Sequence, residues 1–198
     1  MTPVDPPVVY YAQLCARSYS DTPTYGKASD AGRAHNYDGV IVFRGTDNPA
    51  SILADIDILT TPTPGLGTLH AGFWQAWLPL EAQLLALSPQ IIAGHSEGGA
   101  LAVIYAGMLC LAGKPPSAVY CFEPPRLCAD GTLKAILDKA GVMILATCNA
   151  IDPIPWVPPE MSFPSEYAHI GRVYLDDMNP IDYHFIDSGK TSVVVALA

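Results

Sequence analysis

The stretch IIAGHSEGGALAV (91–103) decides the fold, because it sets a serine between a short apolar run and a long one. Residues 94–98 fit the pattern Gly-x-Ser-x-Gly, which is typical of the sharp strand-to-helix turn that presents a nucleophile. Small residues on both sides of Ser96 let the strand and the helix approach closely, and the helix start favours negative charge there. The alternative is a glycine-rich turn with an idle serine, but the buried strand and helix predicted around it favour a nucleophile.

Strands and helices alternate along the chain on both sides of this turn. Helices are predicted at 8–19, 70–87, 97–112 and 130–140. Strands are predicted at 38–45, 90–95, 117–123, 141–148 and 167–175, while the last eight residues fit either state. The alternation predicts an α/β fold in which a mostly parallel central sheet is flanked by helices. In such sheets the reactive loops lie at the carboxyl ends of the strands.

The composition fits one globular domain and argues against several kinds of partner. The chain has 198 residues, of which 50% are apolar and 15% charged, so it can build a large core. A net charge of −9 argues against nucleic acid and against electrostatic docking to anionic lipid, although an apolar substrate needs no charge. The longest apolar stretch, at 99–113, is short for a membrane span and predicts a buried helix.

The N-terminal residues lack the basic start and continuous apolar core of a signal peptide, which by default predicts a cytoplasmic protein. A secreted mature form stays open, because a leader is removed on export. Five cysteines without a Cys-x-x-Cys pair predict buried free thiols. The sequence carries no signal for an oligomeric state.

A serine nucleophile needs a base, and the base needs a carboxylate to orient it. Both are expected after the serine, with the carboxylate first. Asp152 follows the predicted strand 141–148, at a strand end that would place it beside the turn, although an aspartate opening a turn before proline is the alternative. His184 lies among turn-forming residues and fits a base that reaches the site from a loop. His169 lies inside a predicted strand and is expected to pack in the sheet.

The tetrahedral intermediate of ester hydrolysis needs two N–H donors. One is expected from the backbone of Glu97, the residue after the nucleophile. The other is expected from the backbone of Thr46, which follows the predicted strand 38–45, with Gly45 leaving the backbone room. An ordinary strand-ending turn is the alternative interpretation of Gly45.

Taken in order, these motifs resemble the class 3 (fungal-lipase-like) lipases of the α/β-hydrolase superfamily. VIVFRGTD resembles the oxyanion strand and loop of that family, LHAGFWQAW its His-x-Gly-Phe segment and AGHSEGGALA its nucleophile turn. CFEPPR resembles its Phe-Gly-x-Pro-Arg strand end, and DPIPWVPP its catalytic aspartate loop. YAHIG resembles a strand before the catalytic histidine, which favours His184 over His169. The chain departs from the family at Glu97, where an apolar or amide residue is usual, and at Glu123, where glycine is usual.

The resemblance implies one α/β-hydrolase domain over 1–198 and a serine carboxylic-ester hydrolase, a lipase or esterase, that works through an acyl-enzyme. It implies Ser96, Asp152 and His184 as the triad. A small-molecule ester or lipid is the expected substrate, and neither a cofactor nor a metal is required. A phospholipase A-type acyl hydrolase and a non-catalytic binding protein on the same fold are the alternatives.

The segment SILADIDIL resembles the lid region of the family, so a lid is expected at about 48–67 with its Pro/Gly-rich part as a hinge. Contacts to the substrate are expected from apolar residues of the lid and from two aromatic residues, namely Ile52, Leu53, Ile56, Phe73 and Trp156. Trp74 and Trp77 stand at helical spacing and fit a core equally well. Asp55, Asp57 and His70 lack any recognisable metal-ligand spacing, which favours solvated carboxylates and a packed histidine.

Overall fold

The computed structural model describes residues 6–46, 59–149, 152–158 and 169–173, with the backbone alone at 6, 149 and 169–173. The helices are α1 (Pro6–Arg17), α2 (Ala71–Trp77), α3 (Glu81–Leu84), α4 (Glu97–Leu111) and α5 (Thr132–Ala140), with 3₁₀ turns at Leu78–Leu80 and Ile154–Trp156. The strands are β1 (Ala34–Tyr37), β2 (Val40–Phe43), β3 (Thr60–Thr63), β4 (Gly67–His70), β5 (Ile91–His95), β6 (Ala118–Phe122), β7 (Met143–Asn149) and β8 (His169–Val173).

Six of these strands form one sheet in the order β1-β2-β5-β6-β7-β8. Strand β1 pairs antiparallel with β2, and every other pair in this sheet is parallel. The predicted α/β class with a mostly parallel sheet is therefore confirmed. Strand β5 lies between β2 and β6, so the loop that follows it sits at the carboxyl edge of the sheet with the loops after β2 and β6 on either side.

Apolar side chains alternate between the two faces of this sheet, and each face has its own core. Helix α1 packs on the face that carries Val42 and Ala93. Helices α2, α4 and α5 cover the face that carries Ile41, Phe43 and Ile92. Strands with helices on both faces are apolar on both sides, which is why β2 and β5 read as continuous apolar runs. Helix α4 is apolar around most of its circumference for the same reason, since sheet and helices surround it.

Two predictions about secondary structure were wrong in detail. The single helix predicted at 70–87 is broken into α2, a 3₁₀ turn and α3, because Pro79 has no N–H to donate and its ring crowds the preceding turn. The Pro/Gly-rich end of the predicted lid is a hairpin rather than a free hinge: β3 pairs with β4 from Thr60–His70 to Thr63–Gly67. This hairpin is fixed to the main body, since His70 donates its N–H to the carbonyl of Leu127 at 2.9 Å.

The predictions for the cysteines and for the long apolar stretch are confirmed. All five cysteines are free thiols, and four of them are buried. The apolar stretch at 99–113 contributes to α4, which packs against β2, β5 and β6. Within the ranges described, no helix combines the length and the apolar character that a membrane span requires.

Candidate active site

The turn between β5 and α4 holds Ser96 in a strained backbone conformation. Its φ is 56° and its ψ is −130°, a region that residues with a side chain rarely adopt. The turn is fixed at both ends: the N–H of Ser96 donates to the carbonyl of Phe122 in β6 at 2.8 Å, and its carbonyl accepts from Gly99 at 2.8 Å. Strain of this kind is of order 1–3 kcal/mol and persists where the surrounding structure imposes it.

The glycines of the turn are there because no side chain fits. A Cβ atom on Gly94 would lie 2.1 Å from the carbonyl oxygen of Gly98. A Cβ atom on Gly98 would lie 2.3 Å from the carbonyl oxygen of Phe43 in β2. These glycines therefore let the start of α4 rest directly on the ends of β5 and β2, the close approach that the sequence pattern predicted.

The hydroxyl of Ser96 is buried, and its oxygen has no hydrogen-bond partner among the residues described. It stands at the start of α4, a helix of 15 residues, where the first N–H groups have no acceptor within the helix and favour negative charge. A buried hydroxyl without a hydrogen-bond partner is uncommon in folded proteins. For Ser96 the partner would have to come from outside the residues described. His184, the predicted base, lies outside the described residues.

The loop after β2 comes up against the serine, as the oxyanion prediction requires. A Cβ atom on Gly45 would lie 3.0 Å from the Cβ of Ser96 and 2.7 Å from the carbonyl oxygen of His95. Thr46 is the next residue and is half-buried. The backbone N–H groups of Thr46 and Glu97 thus belong to two segments that meet at the nucleophile, and their role as donors stays a prediction.

A tyrosine that sequence reasoning missed ties these two segments together. The hydroxyl of Tyr19 lies 2.6 Å from Nδ1 of His95, and the backbone N–H of Gly45 also donates to it. The guanidinium of Arg44 lies over the ring, 5.1 Å from its centroid. Burial raises the pKa of Tyr19, so the hydroxyl stays protonated and able to donate. No local pattern marks Tyr19, because its partners lie 26 and 76 residues away in the chain.

Asp152 lies at the carboxyl edge of the sheet, three residues after the end of β7. It is fully buried, and its Oδ1 accepts the N–H of Ile154 at 2.9 Å, which starts the short 3₁₀ turn. The guanidinium of Arg126 holds the rest of this loop, since Nη1 donates to the carbonyl of Trp156 and, at 3.0 Å, to that of Pro158. Sequence reasoning did not identify Arg126 as the residue that positions the aspartate loop.

Glu97 is half-buried at the first position of α4. Burial raises the pKa of its carboxyl to about 7, and the positive charge of Arg33 offsets only part of that rise. Arg33 is itself buried and donates through Nη2 to the carbonyl of Gly45 at 3.4 Å.

Of the other predicted site residues, some are buried in the core, one is exposed, and some lie outside the described ranges. Phe73 is buried in the core, with its ring centroid 4.3 Å from that of His70, whereas Trp156 is 44% exposed beside Arg126. Trp74 and Trp77 are buried core residues. The lid residues Ile52, Leu53 and Ile56 lie outside the described ranges, as do Asp55 and Asp57. No group of three or more metal-ligating side chains occurs in the part of the chain that the structure describes.

Glu123 occupies the other left-handed position beside the site, with φ of 50°. It follows β6, and its N–H donates to the carbonyl of Thr147 in β7 at 2.8 Å. A glycine adopts this conformation without steric strain, which explains physically why glycine suits the position. The glutamate holds the same turn geometry at the cost of some strain.

Comparison with known proteins places these features in a family. The family model described as lipase (class 3) matches residues 40–162. The secreted mono- and diacylglycerol lipase A of Penicillium cyclopium is 28% identical over 148 residues, which cover 68% of this chain and 47% of that protein. The secreted mono- and diacylglycerol lipase 1 of Fusarium solani is 29% identical over 124 residues, covering 58% and 36%. The chain thus spans about half or less of the length of these relatives.

A solved structure shows the same fold at low identity. The structure of a mutant form of MDLA from Penicillium cyclopium superposes with a TM-score of 0.71 at 17% identity, covering 88% of this chain and 84% of that one. The match confirms the α/β-hydrolase fold that the sequence predicted.

Proposed function

The chain belongs to the class 3 lipase family, and from this premise we propose that it is a serine hydrolase that cleaves carboxylic esters through an acyl-enzyme. The observation that carries the proposal is the geometry at Ser96. A serine held at positive φ, at the start of α4 and against the loop after β2, has its hydroxyl buried where negative charge is favoured. A serine of purely structural use would gain nothing from this strain.

The proposed mechanism assigns one role to each of these groups. Ser96 attacks the ester carbonyl while His184 takes the proton from its hydroxyl, and the N–H groups of Thr46 and Glu97 donate to the oxyanion that forms. His184 then returns the proton to the leaving alcohol, and water repeats the sequence to release the acid. Asp152 orients His184 and stabilises its charged form. The hydrogen bond from Ile154 and the clamp of Arg126 support this role, because they hold the carboxylate at the sheet edge.

We infer that the substrate is an ester of glycerol or a related small alcohol. The relatives are named mono- and diacylglycerol lipases, and this supports a lipid ester for the present chain. Those relatives are also named as secreted, which favours a secreted mature form over the cytoplasmic location that the sequence predicted by default. A single domain over 1–198, and a lid contributed by the part of 48–67 before the hairpin, complete the proposal.

Kinetics of four variants test the assignment of the triad. Ser96→Ala and His184→Ala should each lower kcat for a nitrophenyl ester by roughly 10⁴-fold or more, and Asp152→Asn somewhat less. His169→Ala serves as the matched control and should change stability more than turnover. If His169→Ala abolishes turnover in a folded protein while His184→Ala retains it, the base is misassigned. Unchanged turnover in Ser96→Ala would refute Ser96 as the nucleophile, and a folded wild-type protein without turnover would favour a binding protein on this fold.

A further inference from the structure

The residue directly after the nucleophile carries an unusual side chain for its position. Glu97 supplies the proposed oxyanion N–H, and its side chain is half-buried. Its carboxylate forms no hydrogen bond or ion pair with any residue that the structure describes. The site therefore contains a carboxylate that is partly removed from water and has no direct partner among the residues described, only a few bonds from the proposed donor to the oxyanion.

The charged and titratable groups of the neighbouring strand ends come from several elements. They are Arg33 before β1, Arg44 after β2, His95 at the end of β5 and Glu123 after β6. Arg33 is the cation that favours the ionised form of Glu97. Nδ1 of His95 is hydrogen-bonded to the hydroxyl of Tyr19. The attraction of Arg33 offsets only part of the effect of burial, so the pKa of Glu97 stays above its ordinary value.

We propose that Glu97 determines the acyl specificity of the enzyme and makes it prefer esters of short-chain or polar acids over esters of long alkyl acids. The inference rests on the proposed function. The carbonyl of the substrate must lie against the N–H of Glu97, so the acyl chain begins beside this residue. A long alkyl chain packed there would strip water from the carboxylate without giving it a hydrogen bond, whereas a short or polar group leaves it solvated.

The preference for short or polar acyl groups should also depend on pH. The pKa of Glu97 is about 7 because burial disfavours its ionised form. Above that pH the side chain is charged and opposes an apolar neighbour, and below it the neutral acid opposes it much less. The discrimination against long acyl chains should therefore weaken as the pH falls through 7.

The experiment measures kcat/KM for nitrophenyl butyrate and nitrophenyl laurate on the same enzyme, below their aggregation limits, from about pH 5.5 to about pH 8.5. The ratio of the two constants is the useful quantity, because the titration of the catalytic base affects both esters alike and cancels. We expect the laurate-to-butyrate ratio of the wild type to rise about tenfold from the alkaline to the acidic end. In Glu97→Gln the ratio should be independent of pH, and in Glu97→Leu it should be both constant and high.

Glu81→Gln is the matched control, since Glu81 also stands at the first position of a helix and is also half-buried. It should keep the wild-type pH dependence. A wild-type ratio that is constant with pH, or a rise that persists in Glu97→Gln, overturns the inference. The pH dependence of the wild-type ratio tests the inference even where a variant does not fold. If butyrate hydrolysis is lost in Ser96→Ala, the proposed function stands even where the inference about Glu97 fails.

Discussion

The nucleophile turn and the aspartate loop lie at the same edge of the sheet but are held in place by different means. The turn at Ser96 is held by the absence of side chains, because Gly94 and Gly98 bring three segments of backbone into direct contact. The loop at Asp152 is held by hydrogen bonds of side chains: the guanidinium of Arg126 donates to two carbonyls of that loop, and the Asp152 carboxylate accepts the N–H of Ile154. The first arrangement is rigid and intolerant of change, whereas the second depends on replaceable hydrogen bonds.

The two parts of the site need different degrees of positional accuracy. The attacking oxygen and the oxyanion donors must meet within tenths of an ångström, and contacts between backbone atoms provide that accuracy. In the proposed mechanism the aspartate acts through the histidine, so a loop held by a few hydrogen bonds suffices for it. We expect substitutions in the two regions to fail in different ways.

The largest expected effect separates the chemistry of the turn from its strain. Ser96→Ala should lower kcat by roughly 10⁴-fold, since no nucleophile remains. Ser96→Gly should be equally inactive yet more stable than wild type by about 1 kcal/mol, because glycine relieves the positive φ. Chemical denaturation with a circular dichroism signal measures the second effect. A Ser96→Gly variant less stable than Ser96→Ala would show that the backbone at this position is not strained.

The next effect tests the steric account of the turn. Gly98→Ala should destabilise the protein by about 3 kcal/mol, because its Cβ would press against the backbone of Phe43. Gly72→Ala is the control, since its Cβ would lie no closer than 3.1 Å to the His70 side chain. Thermal unfolding compares the two variants. Equal melting temperatures would mean that the turn yields easily, and the contrast with the aspartate loop would disappear.

A smaller effect is expected from loosening the aspartate loop. Arg126→Met removes both hydrogen bonds to loop carbonyls and should lower kcat about tenfold while leaving KM nearly unchanged. Arg17→Met is the control, because Arg17 is an exposed cation that pairs with Asp21 and lies over the ring of Tyr37, away from the aspartate loop. Steady-state kinetics on a nitrophenyl ester measure both. A loss in Arg126→Met as large as that in Asp152→Asn would mean that the clamp is as essential as the carboxylate it positions.

The smallest effect compares the two carboxylates beside the site. Asp152 accepts an N–H, whereas Glu97 has no hydrogen bond from the described residues and a pKa raised to about 7 by burial. Because the native state holds the proton of Glu97 more tightly than the unfolded state, stability falls as the pH rises from the ordinary glutamate value through 7. Glu97→Gln should therefore gain about 1–2 kcal/mol at pH 8 and almost nothing below pH 5. Denaturant titrations at the two pH values check this, and an equal gain at both would contradict it.

Much of the fold was predictable because buried parallel strands and their helices leave strong local patterns. Strands β2, β5, β6 and β7 and helix α4 were all anticipated from apolar runs that glycines bound. Pro79 is itself a sequence signal for a break in the helix, but the apolar spacing on both sides of it suggested one helix. The hairpin over Thr60–His70 was missed, because two prolines and two glycines within eleven residues resemble a loop, and only its pairing to the main body reveals strands.

The residues of the site likewise differ in how far the sequence alone predicts them. The place of Ser96 in a strand-to-helix turn could be predicted because the requirements for small neighbours and a following helix are local ones. Tyr19, Arg33 and Arg126 could not, because each acts on groups that only the fold brings near, and no spacing in the chain marks such contacts. The structure places Asp152 at the expected edge of the sheet, and His184 remains a prediction.

The measurement that tests the central claim most directly is the mapping of a covalent phosphonate. The protein is treated with a fluorophosphonate, digested and examined by mass spectrometry, with Ser96→Ala treated in parallel. If Ser96 is the nucleophile, we expect one phosphonate per chain, on the peptide that contains Ser96, and none in the variant. A folded wild-type protein that stays unlabelled, or that carries its label on another residue while hydrolysing esters, would contradict the assignment of Ser96 as the nucleophile.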